Sequence, residues 1–317
     1  MNKRTLGRSG IEVAPLCFGG NVFGWTADEP TSFSLLDAFV DAGFDFIDTA
    51  DRYSAWVAGH RGGESETIIG KWLARSGRRR QVVIATKVGL EMPGVGKGLK
   101  REYILQAADA SLRRLQTDYI DLYQSHTDDA DTPLQESLEA YDRLIRQGKV
   151  RAIGASNYDA ARLMQALAVS REHGLPRYET LQPLYNLYDR ETFEKELEAA
   201  CIDNGIGVIN WYSLAAGFLT GKYREPSDAG KSVRGRKTVE TYLNDRGRRI
   251  LAALDAVSTR MGATPAQVSI AWLLARPSVT APIASATDLD QLKQLTAAVR
   301  LRLDAEALET LNRASAW

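Results

Sequence analysis

Four polar side chains stand at or just after short apolar runs in the first half of the sequence. Asp48 ends one run, and Tyr53 follows closely behind it. Lys87 ends the next run, and His126 comes directly after the third. A carboxylate, a phenol, an ammonium and an imidazole brought to one place would be able to deliver a proton to a substrate or remove one.

The four side chains make chemical sense as a group. A tyrosine hydroxyl has an ordinary pKa of about 10, which is too high for efficient proton transfer near neutrality. A nearby ammonium stabilises the phenolate and lowers that pKa, and a carboxylate keeps the ammonium charged and oriented. An imidazole donates a hydrogen bond to a substrate carbonyl. This set would protonate a carbonyl oxygen while hydride attacks the carbon, and because no side chain supplies hydride, a nicotinamide cofactor is required.

The elements that must position these residues are eight apolar runs separated by stretches of helical periodicity. The runs are Ala14–Gly19, Phe44–Thr49, Val82–Lys87, Tyr119–Ser125, Val150–Ser156, Thr180–Leu184, Gly207–Trp211 and Val279–Ala284. Strands that alternate with helices predict a parallel sheet, and eight such units predict an α/β fold of the (β/α)₈ TIM-barrel type with its active site at the carboxyl ends of the strands. A doubly wound open sheet is the runner-up, but no Gly-x-Gly-x-x-Gly follows the first run.

Other local patterns complete the predicted architecture. Arg4–Val13, with a Gly-Arg-Ser-Gly centre, predicts a β-hairpin that caps the bottom of the barrel. Thr132 and Thr264, each followed by proline, predict helix N-caps. Pro226–Lys237, rich in glycine and basic residues, is interpreted as a long mobile loop. Because there is no linker or low-complexity tract, residues 1–317 are expected to form a single domain.

Composition excludes several classes of function. Lys+Arg and Asp+Glu both number 40, so there is no basic excess of the kind that nucleic-acid binding requires. No apolar run approaches the ~20 residues of a membrane helix. Met1–Thr5 precedes no apolar signal core, so we expect a cytoplasmic protein. Cys17 and Cys201 form no Cys-x-x-Cys pair, and three scattered histidines argue against a metal centre.

The ordered motifs give the chain a resemblance to the aldo-keto reductases, from Leu6 to about Leu303. The motifs are Phe46–Ala50 with Tyr53, Gly63–Glu66, Ala85–Lys87, Asp118–Tyr123 with His126, Gly148–Asn157 and Gly217–Tyr223. The resemblance implies the catalytic tetrad Asp48, Tyr53, Lys87 and His126. By this resemblance Tyr53 is the acid in reduction and the base in oxidation, Lys87 tunes it, Asp48 holds the lysine, and His126 orients the carbonyl.

The resemblance also implies a cofactor at the barrel mouth, with NADPH preferred and NADH or dual use left open. Ser156 and Asn157 would hydrogen-bond the nicotinamide carboxamide with Gln182 beside them, and Trp211, preferred over Tyr212, would stack on the ring. The residues expected along the rest of the dinucleotide are Gly19, Gly20 and Asn21 at the ribose, Ser213, Leu214, Gly217 and Lys222 at the pyrophosphate, and Ser285 and Gln291 at the adenosine end.

The adenosine end departs from the family pattern. No basic residue follows Ser285 before Lys293. Asp288 would repel a 2′-phosphate if it faced one, and it is otherwise the cap of the next helix. Arg234 or Arg236, from the segment 224–240, would then supply the missing positive charge.

The substrate is expected to be a small carbonyl compound or alcohol. Trp25 and Trp56 are the main candidate walls of its pocket, with Tyr53 and Trp317 as further aromatic candidates. The segment 54–63 is interpreted as mobile and polar, which allows sugar-like or other polyhydroxylated carbonyls. Two alternatives remain open: a cofactor-binding regulatory subunit like channel-associated relatives, and a barrel hydrolase or aldolase that uses Lys87 as a Schiff-base nucleophile. The sequence does not define an oligomeric state.

Overall fold

Eight parallel strands close into a barrel in the computed structural model, which describes residues 2–317; Met1, which the N-terminal and domain predictions include, lies outside the described residues. Two strands form the N-terminal hairpin, β1 (Arg4–Thr5) and β2 (Glu12–Val13). The eight barrel strands in chain order are β3 (Cys17–Gly19), β4 (Phe46–Asp48), β5 (Val83–Val88), β6 (Ile120–Ser125), β7 (Val150–Ser156), β8 (Tyr178–Gln182), β9 (Gly207–Val208) and β10 (Ile283–Ala284). The sheet order is β10-β3-β4-β5-β6-β7-β8-β9. A parallel bridge between Val208 and Val279 closes the ring, which confirms the predicted barrel.

Helices follow most of the strands and cover the outside of the barrel. They are α1 (Glu29–Asp41), α2 (Glu64–Ser76), α3 (Arg101–Leu115), α4 (Leu134–Arg146), α5 (Ala160–His173), α6 (Glu198–Asn204), α7 (Gly235–Tyr242), α8 (Asp245–Met261), α9 (Pro265–Leu274), α10 (Leu289–Ala298) and α11 (Ala305–Ala314). Within residues 2–317, none of them has the length and apolar character needed to cross a membrane.

One of the two predicted threonine caps is wrong. Thr264 begins α9 with a reciprocal capping box, in which its hydroxyl accepts the Gln267 N–H and the Gln267 side chain accepts the Thr264 N–H. The hydroxyl of Thr132 instead donates to Asp129 Oδ2 at 2.7 Å, so that Pro133 occupies the uncapped position before α4. The Thr132 hydroxyl, which the sequence pattern had predicted as the helix cap, is therefore bonded to the carboxylate of Asp129.

The segment predicted as an irregular loop is largely helical, so that prediction is wrong. Pro226–Lys231 forms a 3₁₀ turn and α7 follows it directly. Asp228 accepts the backbone N–H groups of Arg224 and Glu225 at 2.6 and 3.1 Å, which fixes the start of the turn. These local hydrogen bonds order a stretch whose glycines and basic residues had indicated irregular structure.

The N-terminal hairpin closes the lower end of the barrel, as predicted. Strands β1 and β2 pair antiparallel. Leu6, Ile11 and Val13 are almost fully buried and belong to the same apolar cluster as barrel-lining side chains such as Phe46 and Leu122. The hairpin therefore fills the bottom of the interior with hydrocarbon.

The upper interior is polar because side chains alternate along each strand. Moving two residues up β4 leads from buried Phe46 to Asp48, and the same step along β5 leads from Ala85 to Lys87. On β6 it leads from Leu122 to Gln124, and on β8 from Thr180 to Gln182. An apolar floor therefore supports a ring of buried polar side chains at the carboxyl ends of the strands.

Candidate active site

The ammonium of Lys87 stands at the centre of this polar ring. Its Nζ donates to Asp48 Oδ2 at 2.6 Å, to the Thr49 carbonyl at 2.7 Å and to the Tyr53 hydroxyl oxygen at 2.8 Å. The lysine side chain has no exposed surface. All three ammonium hydrogens therefore have partners, which is the condition for burying such a charge.

The turn after β4 brings Tyr53 back to the lysine. The Tyr53 N–H donates to the Ala50 carbonyl at 3.2 Å. Ser54 adopts a left-handed backbone, with φ of 73°, and its hydroxyl donates to the Phe23 carbonyl at 2.8 Å. Strain of this kind is common where a turn must aim a functional side chain.

The pKa values of this pair differ from the simplest expectation. Burial raises the pKa of Tyr53 to about 12, although the neighbouring Lys87 acts in the opposite direction. Burial acts to lower the pKa of Lys87, but Asp48 and then Tyr53 outweigh it and the net direction is upward. The lowered tyrosine pKa expected from the sequence is therefore wrong for this structure, in which the phenol is protonated and the lysine charged at neutral pH.

His126 faces the tyrosine as a neutral ring. The centroids of the two rings are 5.9 Å apart. Burial, followed by the charges of Lys87 and Arg52, holds the pKa of His126 well below its ordinary value. A neutral imidazole carries one N–H and is able to donate it to a carbonyl oxygen.

Ser156 and Asn157 lie together at the end of β7, next to His126. Asn157 Nδ2 donates to the His126 carbonyl at 2.9 Å, and the Asn157 backbone is left-handed with φ of 58°. The hydroxyl of Ser156 donates to the carbonyl of Gln182 at 2.9 Å. The Gln182 side chain, however, turns into the barrel and donates to Asp48 Oδ1 at 3.0 Å.

The ends of β3 and β10 bring the residues expected at the ribose and the adenosine end into contact. Ser285 Oγ lies 2.7 Å from the Gly19 carbonyl oxygen and 2.8 Å from Asn21 Oδ1. A Cβ added at Gly19 would come within 2.6 Å of Ser285 Oγ. At Gly20 a Cβ would lie 3.0 Å from the Asp48 carbonyl oxygen, so both glycines keep this approach open.

Asp288 and Gln291 form the start of α10. Asp288 Oδ1 accepts the Gln291 N–H at 2.8 Å, and Asp288 Oδ2 accepts Gln291 Nε2 at 2.5 Å. Asp288 is therefore the helix cap, and the Gln291 side chain folds back on it.

The segment after β9 has an unusual run of left-handed backbone. Tyr212, Ala215, Ala216 and Gly217 have φ of 56°, 47°, 54° and 93°. Lys222 lies against this run, since a Cβ added at Gly217 would be 3.3 Å from its Nζ. The N–H groups of Ala215 and Gly217 donate to the carbonyls of Tyr212 and Leu214 at 2.7 and 2.9 Å, so the group of this segment that is suited to a phosphate is the ammonium of Lys222.

Among the residues expected on the same run, Ser213 is buried and Leu214 is partly buried. The Ser213 hydroxyl accepts Asn210 Nδ2 at 3.1 Å. Trp211 packs edge-to-face on Tyr212, with ring centroids 4.6 Å apart. Its Nε1 is buried and has no hydrogen-bond partner among residues 2–317.

Arg234, Trp25 and Trp56 form a continuous wall that leads to Tyr53. The guanidinium carbon of Arg234 lies 4.7 Å from the ring centroid of Trp25. Trp25 packs edge-to-face on Trp56 at 5.5 Å, and Trp56 does the same on Tyr53 at 6.0 Å. The candidate pocket residues are thus brought together, whereas Trp317 stacks with Arg190 at 5.1 Å.

A groove of about 690 Å³ lies next to Trp25. Its lining also includes His60, Glu64 and Lys71. None of the four tetrad residues lines it, so the groove is separate from the polar ring around Lys87.

The structure adds two buried residues that the sequence analysis did not single out. Gln124 donates to Asp48 Oδ1 at 3.3 Å from the interior of β6. Asp51 is 1% exposed, and neither of its carboxylate oxygens has a hydrogen-bond partner within residues 2–317. Burial and then Glu66 raise the pKa of Asp51 to about 8. A polar residue at an inward strand position was the signal that would have identified Gln124.

The Gly63–Glu66 motif joins α2 to the barrel near the loop that carries Tyr53. Ser65 Oγ donates to the Gly20 carbonyl at 2.7 Å. Glu66 accepts the Thr86 hydroxyl at 2.5 Å and Arg114 Nε at 2.6 Å. Within residues 2–317, no cluster of three or more His, Cys, Asp or Glu side chains is arranged to hold a metal ion.

Comparison with known proteins gives one consistent family. The model of the "Aldo/keto reductase family" matches residues 15–316. The chain is 40% identical to "Uncharacterized oxidoreductase YrpG" of Bacillus subtilis, over 97% of this chain and 94% of that protein. It is 33% identical to "Aldo-keto reductase YhdN" of the same species, over 98% and 93%. It is also 34% identical to a "Probable voltage-gated potassium channel subunit beta" of Arabidopsis thaliana, over 94% and 91%. With this match across nearly its whole length, the chain belongs to the aldo/keto reductase family and is an oxidoreductase enzyme of a family that uses nicotinamide cofactors.

Proposed function

We propose that this protein is an NADP(H)-dependent reductase of small aldehydes or ketones, which also catalyses the reverse oxidation of alcohols. The observation that carries the proposal is the position of Lys87, whose ammonium bonds the carboxylate of Asp48 and the hydroxyl of Tyr53 at once. That arrangement prepares a phenol to lose its proton when a substrate oxygen beside it becomes negative.

Each tetrad residue then has a separate task. The nicotinamide, when bound, supplies the hydride. Tyr53 is protonated at neutral pH and donates its proton to the carbonyl oxygen, and the ammonium of Lys87 stabilises the phenolate that remains. Asp48 holds the ammonium in place. The neutral ring of His126 donates a hydrogen bond that polarises the carbonyl before the proton moves.

The residues at the mouth fit a dinucleotide. The ammonium of Lys222, beside the left-handed run that ends at Gly217, is suited to a pyrophosphate. Within residues 2–317, neither Lys222 nor Arg234 makes a salt bridge, so both charges are free for phosphate groups. We assign Ser156 and Asn157 to the carboxamide, Trp211 to the ring face, and the contact of Gly19, Asn21 and Ser285 to the ribose side.

The preference for NADPH over NADH rests on Arg234, because Lys222 is assigned to the pyrophosphate, which both cofactors carry. Asp288 is occupied in capping α10, so its carboxylate is satisfied by the helix and does not by itself decide against a 2′-phosphate. The aromatic wall of Trp25 and Trp56 is assigned to the substrate, because it continues directly from Tyr53.

The proposal is tested with Tyr53→Phe, which removes the transferable proton and keeps the ring. We expect reduction of a panel of aldehydes and ketones, followed by loss of NADPH absorbance, to fall by ~10²–10⁴-fold. The dissociation constant for NADPH should stay within about twofold, because the ring still packs on Trp56. Full turnover in this variant would overturn the tetrad assignment.

A second candidate function is cofactor binding without turnover, which the similarity to the plant protein named a probable potassium channel subunit beta favours. The same experiment separates the two. If the wild-type chain binds NADPH but reduces none of the panel, the regulatory role replaces the reductase. Borohydride trapping of a carbonyl compound on Lys87 would instead support the Schiff-base alternative.

A further inference from the structure

The carboxylate of Asp48 has two oxygens with different partners. Oδ2 accepts the Lys87 ammonium at 2.6 Å. Oδ1 accepts two side-chain amides, Nε2 of Gln182 at 3.0 Å and Nε2 of Gln124 at 3.3 Å. Asp48, Lys87, Gln124 and Gln182 are each no more than 2% exposed, so bulk solvent is excluded from this contact.

The register of the barrel places Gln124 for this contact. In the strand pairing, Gln124 lies opposite Lys87 on β5 and opposite Gly154 on β7. A Cβ added at Gly154 would stand 3.2 Å from Gln124 Cγ and 2.2 Å from Thr180 Oγ1. The glycine thus leaves the space through which the Gln124 side chain reaches inward. Its Oε1 is 3.4 Å from Gln182 Nε2, which links the two amides.

A donor on Oδ1 changes what Oδ2 does. Amide N–H groups draw negative charge toward Oδ1 and keep the carboxylate ionised. Without them, more of the negative charge rests on Oδ2, which then holds the ammonium of Lys87 more strongly. The same ammonium has to stabilise the phenolate of Tyr53. A stronger ion pair between Lys87 and Asp48 therefore weakens the stabilisation of that phenolate.

We propose that Gln124 is a positioning residue of the reaction, which by donating to Asp48 Oδ1 determines how strongly Lys87 stabilises the Tyr53 phenolate. The inference rests on the proposed function, because it concerns the acidity of the proton donor. The charged and titratable groups that face Tyr53 are Asp48 on β4, Lys87 on β5, His126 after β6 and Arg234 before α7. Gln124 acts on them through Asp48 alone.

The test compares Gln124→Met, which keeps the length and loses the donor, with the wild type. We expect the pH profile for alcohol oxidation to move by about 0.5–1 unit to higher pH, and kcat for reduction at pH 7 to fall about tenfold, because a less acidic Tyr53 donates its proton more slowly. KM for the cofactor should stay within about twofold. Gln124→Glu, which adds a negative charge of the same shape, should move the profile further in the same direction.

Tyr123→Phe is the matched control. Tyr123 precedes Gln124 on β6, is fully buried on the opposite face, and its hydroxyl has no hydrogen-bond partner within residues 2–317. This variant should leave both the pH profile and kcat unchanged. It also measures what repacking inside β6 does by itself to thermal unfolding.

An NMR measurement that requires neither cofactor nor turnover completes the test. The ¹³Cζ resonance of Tyr53 in tyrosine-labelled protein, assigned by its loss in Tyr53→Phe, reports the hydrogen bond from Lys87. We expect the chemical shift of this resonance to change in Gln124→Met and to remain unchanged in Tyr123→Phe. If Gln124→Met does not fold, Gln124→Asn, which withdraws the amide by one methylene, takes its place.

The outcomes are distinct for the two proposals. An active wild type with an unchanged pH profile and an unchanged Tyr53 resonance in Gln124→Met would make Gln124 only a packing residue and overturn this inference. A wild type that reduces no carbonyl would overturn the proposed function, and the inference with it.

Discussion

Lys87 and Tyr53 meet at 2.8 Å across a separation of 34 residues, and the lysine is in the same place bonded to Asp48. The ammonium therefore divides its attraction between a full negative charge and a hydroxyl. The charge on Asp48 keeps the lysine protonated in a buried site, while burial keeps the proton on the tyrosine. In the proposed mechanism, Tyr53 therefore keeps its proton until a substrate oxygen develops negative charge.

The first prediction concerns the pH dependence of the two directions. Because the pKa of Tyr53 is about 12, the phenol is fully protonated across the neutral range, and the rate of reduction should be flat between about pH 6 and 9. Oxidation needs the phenolate, so its rate should rise about tenfold per pH unit in the same range. Initial rates in both directions, in one buffer series, provide the measurement. A shared optimum near neutrality would contradict the assignment of Tyr53 as the group that exchanges the proton.

Replacement of the lysine should affect stability as well as turnover. In Lys87→Met the carboxylate of Asp48 remains buried without a cation, which costs ~3–5 kcal/mol of unfolding free energy. The rate of reduction should fall by ~10²–10⁴-fold. Chemical denaturation and steady-state rates measure the two effects.

The double variant Lys87→Met with Asp48→Asn is the control for that experiment. It removes the unpaired charge, so most of the lost stability should return while turnover stays low. A double variant that regains turnover would show that the ammonium is not needed for the reaction.

The cofactor assignment predicts different affinities for NADPH and NADH. Lys222→Met and Arg234→Met should each weaken NADPH binding by ~10–100-fold, the effect of losing a charge-assisted hydrogen bond. Tryptophan fluorescence measures both titrations, and quenching is expected because Trp211 is assigned to the nicotinamide ring face. Lys231→Met is the matched control, since that lysine is already paired with Asp228 at 2.7 Å.

Two results would change the cofactor assignment. Tighter binding of NADH than of NADPH by the wild type would remove the role proposed for Arg234 at a 2′-phosphate. Binding of neither dinucleotide would remove the hydride-transfer mechanism altogether.

The buried carboxyl group of Asp51 leads to a prediction about how stability depends on pH, separate from catalysis. Its pKa is about 8 in the folded chain, against an ordinary value of 3.8, so the folded state holds the proton more tightly. The contribution of Asp51 to the unfolding free energy should therefore be complete below about pH 4 and be lost as the pH rises to about 8. Asp51→Asn cannot ionise and should be more stable than the wild type at pH 9 by ~1–3 kcal/mol. Thermal unfolding at pH 5 and pH 9 measures this, with the exposed Asp290→Asn as a variant that should change neither value.

The barrel and the place of the tetrad followed from local features of the sequence. Each strand is a short apolar run, and the polar residue at its carboxyl end must reach the same rim in any parallel barrel. The positions of Asp48, Lys87 and His126 at this rim could therefore be predicted without knowledge of the tertiary contacts. The Leu6–Val13 part of the hairpin was equally readable, because a turn sequence lies between apolar residues that need cover.

The features that were not predicted depend on contacts between distant residues. Asp129 takes the hydroxyl of Thr132 only because the loop before α4 brings them together. The side chain of Gln182 turns to Asp48, which is 134 positions away. The rise in the pKa of Tyr53 depends on how deeply the hydroxyl is buried, a quantity that a list of neighbouring charges does not contain. The local sequence pattern was enough to predict where these residues lie in the barrel. The size and direction of their pKa shifts depend on burial in the tertiary structure.

The hairpin that fills the lower end of the barrel has a consequence for the supply of protons. Leu6, Ile11 and Val13 belong to the apolar cluster that lies beneath the polar ring of Lys87. Under the proposed mechanism, Tyr53 has to regain a proton after each reduction, and this cluster leaves the opening at the carboxyl ends of the strands as the side from which solvent supplies it. We therefore expect a bulky product that stays in this opening to delay the next turnover, because the phenolate is then not reprotonated.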